Sequence, residues 1–274
     1  MSNFLILQRI LPGCEEGNIE AWKAFLADYT PAALHFLGVY SPWEPDTLLD
    51  CWRDALRGLT ANGCAALKGL SHQSEREFLV GLRALLQELA ATNLESSDDA
   101  ADPPAPTIQA LSALLSGLPL VHQEIAFLAL AGYSQATLEK ILRITPAVAS
   151  EGLARLRTGY ARVLERSEDR CLWPSAWTGI CQVARADEKK DCTALRQLIR
   201  ILDGQASWYE KTPAEEHRAK CLHCLELWTA LLEVVAWDRT RVRWTPDQIG
   251  PLIVDIPVQP ASGRKSLFDR LFGR

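Results

Sequence analysis

Stretches that alternate apolar and polar residues are scarce in this 274-residue chain, which argues against a sheet-based fold; helical periodicity dominates instead. No apolar run approaches the roughly 18 residues that a membrane-spanning helix needs. Near the start, Leu11-Pro12-Gly13-Cys14 resembles a lipoprotein cleavage box, but no early lysine or arginine precedes it and Gln8 and Arg9 interrupt the apolar run. We therefore expect no signal peptide. No Ser/His/Asp set, phosphate-cradling glycine loop or paired-carboxylate motif stands out, and the βαβ pattern of a thioredoxin-like oxidoreductase is missing. The expectation is a non-enzymatic protein. Basic charge is also short: the formal net charge is −5. Residues 1–100 carry 7 basic and 14 acidic groups (net −7), residues 101–166 carry 6 and 5 (net +1), and residues 167–274 carry 16 and 15 (net +1). No segment has the basic balance of a strong nucleic-acid binder.

Cysteine, by contrast, is plentiful. The 8 cysteines are not evenly paired in the manner of a short secreted framework, so a reduced, cytoplasmic compartment with some metal use fits better. Three metal-ligating residues fall in the stretch TPAEEHRAKCLHCLELW, as His217-x3-Cys221-x2-Cys224. On one helix, at about 100° per residue, these would share a sector of roughly 60°. An imidazole and two thiolates converging on a point suit a tetrahedral zinc, whose fourth ligand would be Cys192, 25 residues before His217. Two other readings use the same residues: a metal-free dithiol, or small apolar side chains on a buried helix face. His223 turns away from the set and is expected to be exposed. Cys171 and Cys181 are read as spare thiols.

The chain divides by composition. Amphipathic helices are expected at 20–38, broken at Pro31, at 44–59 (Leu48, Leu49, Trp52, Leu56, Leu59) and at 74–92 (Phe78, Leu82, Leu85, Leu86, Leu89), within a domain spanning 1–94. The acidic, Pro-rich run 95–107 reads as a linker. In 108–166, Ser134 is placed to cap a short helix and Thr145-Pro146 to start a longer one, with Val148, Gly152, Leu156, Tyr160 and Val163 on one face. The spacing spells a helix-turn-helix. A metal unit is expected at 187–240, with Cys192, Leu195, Leu198, Ile199 and Leu202 on a helix that Asp203-Gly204 ends. Thr212-Pro213-Ala214-Glu215 would cap the next helix. The tail 245–274 closes on Leu267, Phe268, Leu271 and Phe272, read as a frayed terminus. The fold class is all-α: small helical bundles plus a C-terminal zinc-binding helical domain.

The segment LSGLPLVHQEIAFLALAGYSQATLEKILRITPAVASEGLARLR resembles region 4 of the extracytoplasmic-function sigma factors, through Leu118-Pro119, Gly132-x-Ser134, Ile141-Leu142-x-Ile144-Thr145 and Arg155-x-Arg157. FLADYTPAALHFL is similar to the first helix of sigma region 2. The chain departs from that family at Thr137-Leu138-Glu139, where a small residue is usual, at Arg143, where the turn usually has Gly, and at Ser150 and Gly152, where the family is basic. An ion pair between Glu139 and Arg143 across the turn is one expected replacement for close helix packing. Cys192, Asp203-Gly204, His217, Cys221 and Cys224 match, in order and spacing, the zinc-containing anti-sigma domain. The resemblance implies a sigma-like pair of domains regulated by a fused anti-sigma-like module. It implies RNA polymerase or another sigma or anti-sigma protein as partner, weak contact with promoter DNA through Arg155 and Arg157, and redox sensing at the zinc thiolates. An adaptor that has lost DNA and polymerase binding is the alternative.

Overall fold

The computed structural model describes residues 4–38, 45–71, 73–95, 108–163, 180–254 and 256. Among them every regular element is a helix and there is no strand, as the periodicity predicts. The expected linker from residue 96 on, Cys171, and the apolar residues of the closing tail lie outside the described residues.

The first four helices are α1 (Phe4–Glu15), α2 (Ile19–Gly38), α3 (Pro45–Gly69) and α4 (Glu75–Glu95). Phe25 anchors their core, with ring centroids 5.3 Å from Trp22, 5.1 Å from Tyr29 and 6.2 Å from Phe78. Trp52, Leu56, Leu59, Leu82 and Leu86 complete it, while Leu48, Leu49, Leu85 and Leu89 are only partly buried at its margin. The expected break at Pro31 does not occur: α2 runs through it. Proline removes the N–H that would bond the carbonyl four residues back. Here that carbonyl, of buried Ala27, accepts instead from the Trp244 N–H at 2.9 Å.

The next four are α5 (Ile108–Leu115), α6 (Leu120–Leu130), α7 (Gln135–Leu142) and α8 (Pro146–Val163). Helix α6 is buried on all sides from His122 to Leu130. Ser134 caps α7 as expected, its hydroxyl accepting from the Thr137 N–H. Thr145 does the same for Val148 at 3.4 Å. Arg143 ends α7 in the left-handed region at φ 55, the conformation a glycine would adopt more easily. The Glu139 side chain takes a bond from Gln135 rather than pairing with Arg143. Gly152 is buried, and a Cβ there would lie 2.7 Å from Ile125 Cδ1. Gly152 is thus the small residue that lets α8 approach α6.

The last five are α9 (Ile180–Ala186), α10 (Leu195–Leu202), α11 (Trp208–Arg218), α12 (Leu222–Asp238) and α13 (Pro246–Ile253). Helix α11 starts earlier than Thr212: Ser207 and Glu210 form the capping box, and Pro213 lies inside the helix. Pro213 leaves the Tyr209 carbonyl without its helical donor, on a residue 81% exposed. Helix α13 is capped by Thr245 and Gln248 and packs against α2. Helix α12 is central, packing on α4, α6, α7, α9, α10 and α11.

Candidate metal centre

Cys192, His217, Cys221 and Cys224 are brought together, with one ligand atom from each within 4.8 Å of all the others. They do not share one helix face. His217 stands in the last turn of α11, Cys221 is the extended N-cap of α12 (φ −129, ψ 114), and Cys224 follows in the first turn. Cys192 precedes α10 instead of lying on it. A turn holding ligands from two helix ends can point them inward from different directions, which a single helical stripe cannot.

The donor set fits a metal ion. A tetrahedron built on metal–sulfur bonds of about 2.3 Å has edges of about 3.8 Å; Cys192 Sγ and Cys221 Sγ are 3.5 Å apart. His217 Nδ1 faces Asp191 Oδ2 at 3.3 Å. Its Nε2 is buried with no hydrogen-bond partner, the condition of an imidazole aimed at a cation while a carboxylate fixes its other nitrogen. Backbone N–H groups of Lys189, Thr193 and Cys224 point at the sulfurs of Cys192, Cys224 and Cys221 respectively. Burial pushes the Cys221 and Cys224 thiols up, against the pull of those N–H groups. A cation at the centre of the group would reverse that balance and favour thiolates. The four residues could hold a metal ion.

The turn carrying two of these ligands is also bolted to α6. Arg218 (4% exposed) pairs with Glu124 at 3.3 Å and lies 4.0 Å over the Trp228 ring. Burial raises the Glu124 carboxyl against the pull of Arg218 and Trp228. Gln123 Nε2 donates to the carbonyls of Leu118 and Ala219. His223, expected to be exposed, is half-buried, with Nδ1 3.1 Å from the Arg185 carbonyl.

A buried polar network, which the sequence reading missed, joins all three sets of helices. Arg83 on α4 is fully buried and reaches Glu226 Oε1 at 2.8 Å and Glu233 Oε2 at 2.6 Å on α12. Gln87 accepts from Arg83 and from Arg185 of α9, and Arg185 also pairs with Glu226 at 3.0 Å. Tyr133, between α6 and α7, donates its hydroxyl to Glu233, and His35 of α2 lies 3.3 Å from the same carboxylate. Burial by itself would raise the Glu233 carboxyl; Arg83, His35 and Tyr133 together hold it below its ordinary value.

Arg155 and Arg157 are exposed on α8 and take no part in the metal group. Arg155 is engaged by Glu151 through Nη2 at 2.6 Å and Nε at 3.1 Å. No protein-family model, curated protein or solved structure matches this chain.

Proposed function

We propose that this chain is a cytoplasmic transcription regulator of the sigma/anti-sigma type, in which a zinc-holding module, α10–α12, restrains two sigma-like helical units. The observation that carries the reading is the position of α12. It extends directly from the ligand turn and packs on helices of both preceding units. Cys192, Cys221 and Cys224 would hold zinc as thiolates, and His217 would hold it through Nε2. An ion held by these residues would cross-link the turn before α10 and the α11–α12 turn. Arg218, Ala219 and Gln123 carry that order on to α6.

Purified chain should contain about one zinc, lost together with much of the helical stability in Cys224→Ser. A reduced, folded, metal-free chain would sink the zinc reading. The same thiols support redox sensing. With peroxide as oxidant, the Cys192 and Cys221 thiolates would give up two electrons to form one S–S bond and release the metal, and the peroxide would take two protons from solvent and leave as two waters. Zinc retention and free thiols after peroxide treatment would count against that role. Recovery of the chain from its native host with RNA polymerase subunits, or with another sigma or anti-sigma protein, tests the regulator itself.

The adaptor reading, without DNA or polymerase contact, draws on α8. Gly152 stands where the family is basic and is buried against Ile125, while Arg155 is held by Glu151. On that reading promoter DNA binds weakly and Arg155→Ala changes its affinity little. Tight, sequence-dependent binding abolished by Arg155→Ala would restore a promoter-reading function.

A further inference from the structure

Helix α3 is interrupted past its middle. Ala61 is extended (ψ 154), and Asn62, Gly63 and Cys64 follow at φ 49, 66 and 62, three successive residues in the left-handed region. Glycine takes that conformation freely and asparagine tolerates it, but for cysteine it is costly. The turn leaves Asn62 and Gly63 in solvent and sends Cys64 inward, where it is 8% exposed. Its Sγ stops 3.9 Å from the carbonyl oxygen of Cys14, near the end of α1, and Cys14 itself is fully buried. Burial pushes the Cys14 thiol up, and the neighbouring Cys64 sulfur adds to the rise. The Cys14 carbonyl already accepts from the Gly17 N–H at 3.0 Å and from Trp22 Nε1 at 3.1 Å, which engage both of its lone pairs. The Cys64 thiol therefore gains little as a third donor. A strained turn sets two cysteines against each other without a hydrogen-bonding reason to do so.

We propose that Cys14 and Cys64 are a redox pair, joined by a disulfide when the chain meets a peroxide. Cys64 is the point of entry, because it is the partner nearer solvent. Lys68, whose Nζ donates to the Gly63 carbonyl at 2.8 Å, also pulls the Cys64 thiol toward ionisation, against the rise from burial. The Cys64 thiolate attacks one peroxide oxygen; the O–O bond breaks, a sulfenic acid forms on Cys64 and hydroxide leaves. Cys64 then turns from the Cys14 carbonyl to the thiol of the same residue. The Cys14 thiolate attacks the Cys64 sulfur, the S–S bond forms, the S–O bond breaks and a second hydroxide leaves. The two protons given up by the thiols turn the two hydroxides into water. The bridge ties the end of α1 to α3 around a loop that contains all of α2. It uses none of the four residues of the metal centre, so the inference does not rest on the zinc reading.

Peptide mapping of the full chain, alkylated in denaturant before and after treatment with hydrogen peroxide, tests it. One cross-linked peptide pair, lighter by two hydrogens than its free-thiol parts, should carry Cys14 and Cys64. The bridge spans 50 residues. Constraining the unfolded chain over that length should raise Tm by about 5 °C or more. The deciding variant is Cys64→Gly, which suits the left-handed backbone and keeps every thiol of the metal centre. It should fold, and it should show no such rise after the same treatment. Reading the gain as a difference between the two chains cancels whatever peroxide does at Cys192, Cys221 and Cys224. Full alkylation of Cys14 and Cys64 after treatment would overturn the proposal and leave the two as small apolar core side chains. Cys14 bridged to any other cysteine would overturn it too, as would equal Tm shifts in wild type and Cys64→Gly.

Discussion

One methyl group at Gly152 would come within 2.7 Å of Ile125 Cδ1 and 3.0 Å of Cγ2. Ile125 is β-branched and buried, so it cannot swing aside freely. Gly152→Ala gains about 1 kcal/mol of helix propensity, yet overpacking typically costs about 1–3 kcal/mol. A net loss of about 1 kcal/mol is expected in urea unfolding, recovered in part by Ile125→Val. The sequence placed Gly152 on the inward face of α8 correctly, while its resemblance to a basic position pointed outward; the packing decides for the inward role. Glu233 gives a pH signature. Its carboxyl is held below its ordinary value of 4.5, so its stabilising share is complete well above that value and fades as pH falls through and below it. The stability deficit of Glu233→Gln should therefore be full at neutral pH and shrink steadily below about pH 4.5. A deficit independent of pH would contradict the ionised assignment.

At the scale of elements, two breaks were read the wrong way round. A proline marked a break in α2 that does not form, and a continuous helical stripe from His217 to Cys224 marked a helix that does break. Both errors have one physical origin. Local periodicity carries no information about distant partners, here the Trp244 N–H that donates to the Ala27 carbonyl and the Cys and His side chains that gather around a turn. In Pro31→Ala the restored N–H competes for that carbonyl, so the Trp244 amide should lose protection in hydrogen exchange. An unchanged Trp244 amide would show the contact to be incidental. The Ser134 and Thr145 caps were legible, because each rests on a hydroxyl and an amide three residues apart; the capping box read at Thr212 was not, since α11 already begins at Trp208. Ser134→Ala should cost about 1 kcal/mol, read as loss of thermal stability.

For the whole molecule, the all-helical class and the four side chains that come together were legible in the sequence, but the network around Arg83 was not. Its trace was present: Glu226 and Glu233, seven residues apart, stand in LHCLELWTALLEVVAW, a helix otherwise apolar nearly all round. A helix of that kind is buried, and its charges must be paired. Which cation pairs them is a matter of topology that no local pattern encodes. Removing it takes a fully buried cation from both carboxylates, leaving Glu226 to Arg185 and Glu233 to Tyr133 and His35, so Arg83→Met should lose about 3 kcal/mol in urea unfolding. The Arg83 bonds to Glu226 and Glu233 span 143 and 150 residues. This separation has a consequence for the order in which the chain is made. At a synthesis rate of about 5–20 residues per second, Arg83 precedes Glu233 by roughly 8–30 s. Throughout that interval the nascent N-terminal helices offer Arg83 neither of its two carboxylates, and Ala27 has a carbonyl whose partner, the Trp244 N–H, is made later still. The N-terminal unit is therefore expected to bury these two groups only after α12 and the segment carrying Trp244 have emerged.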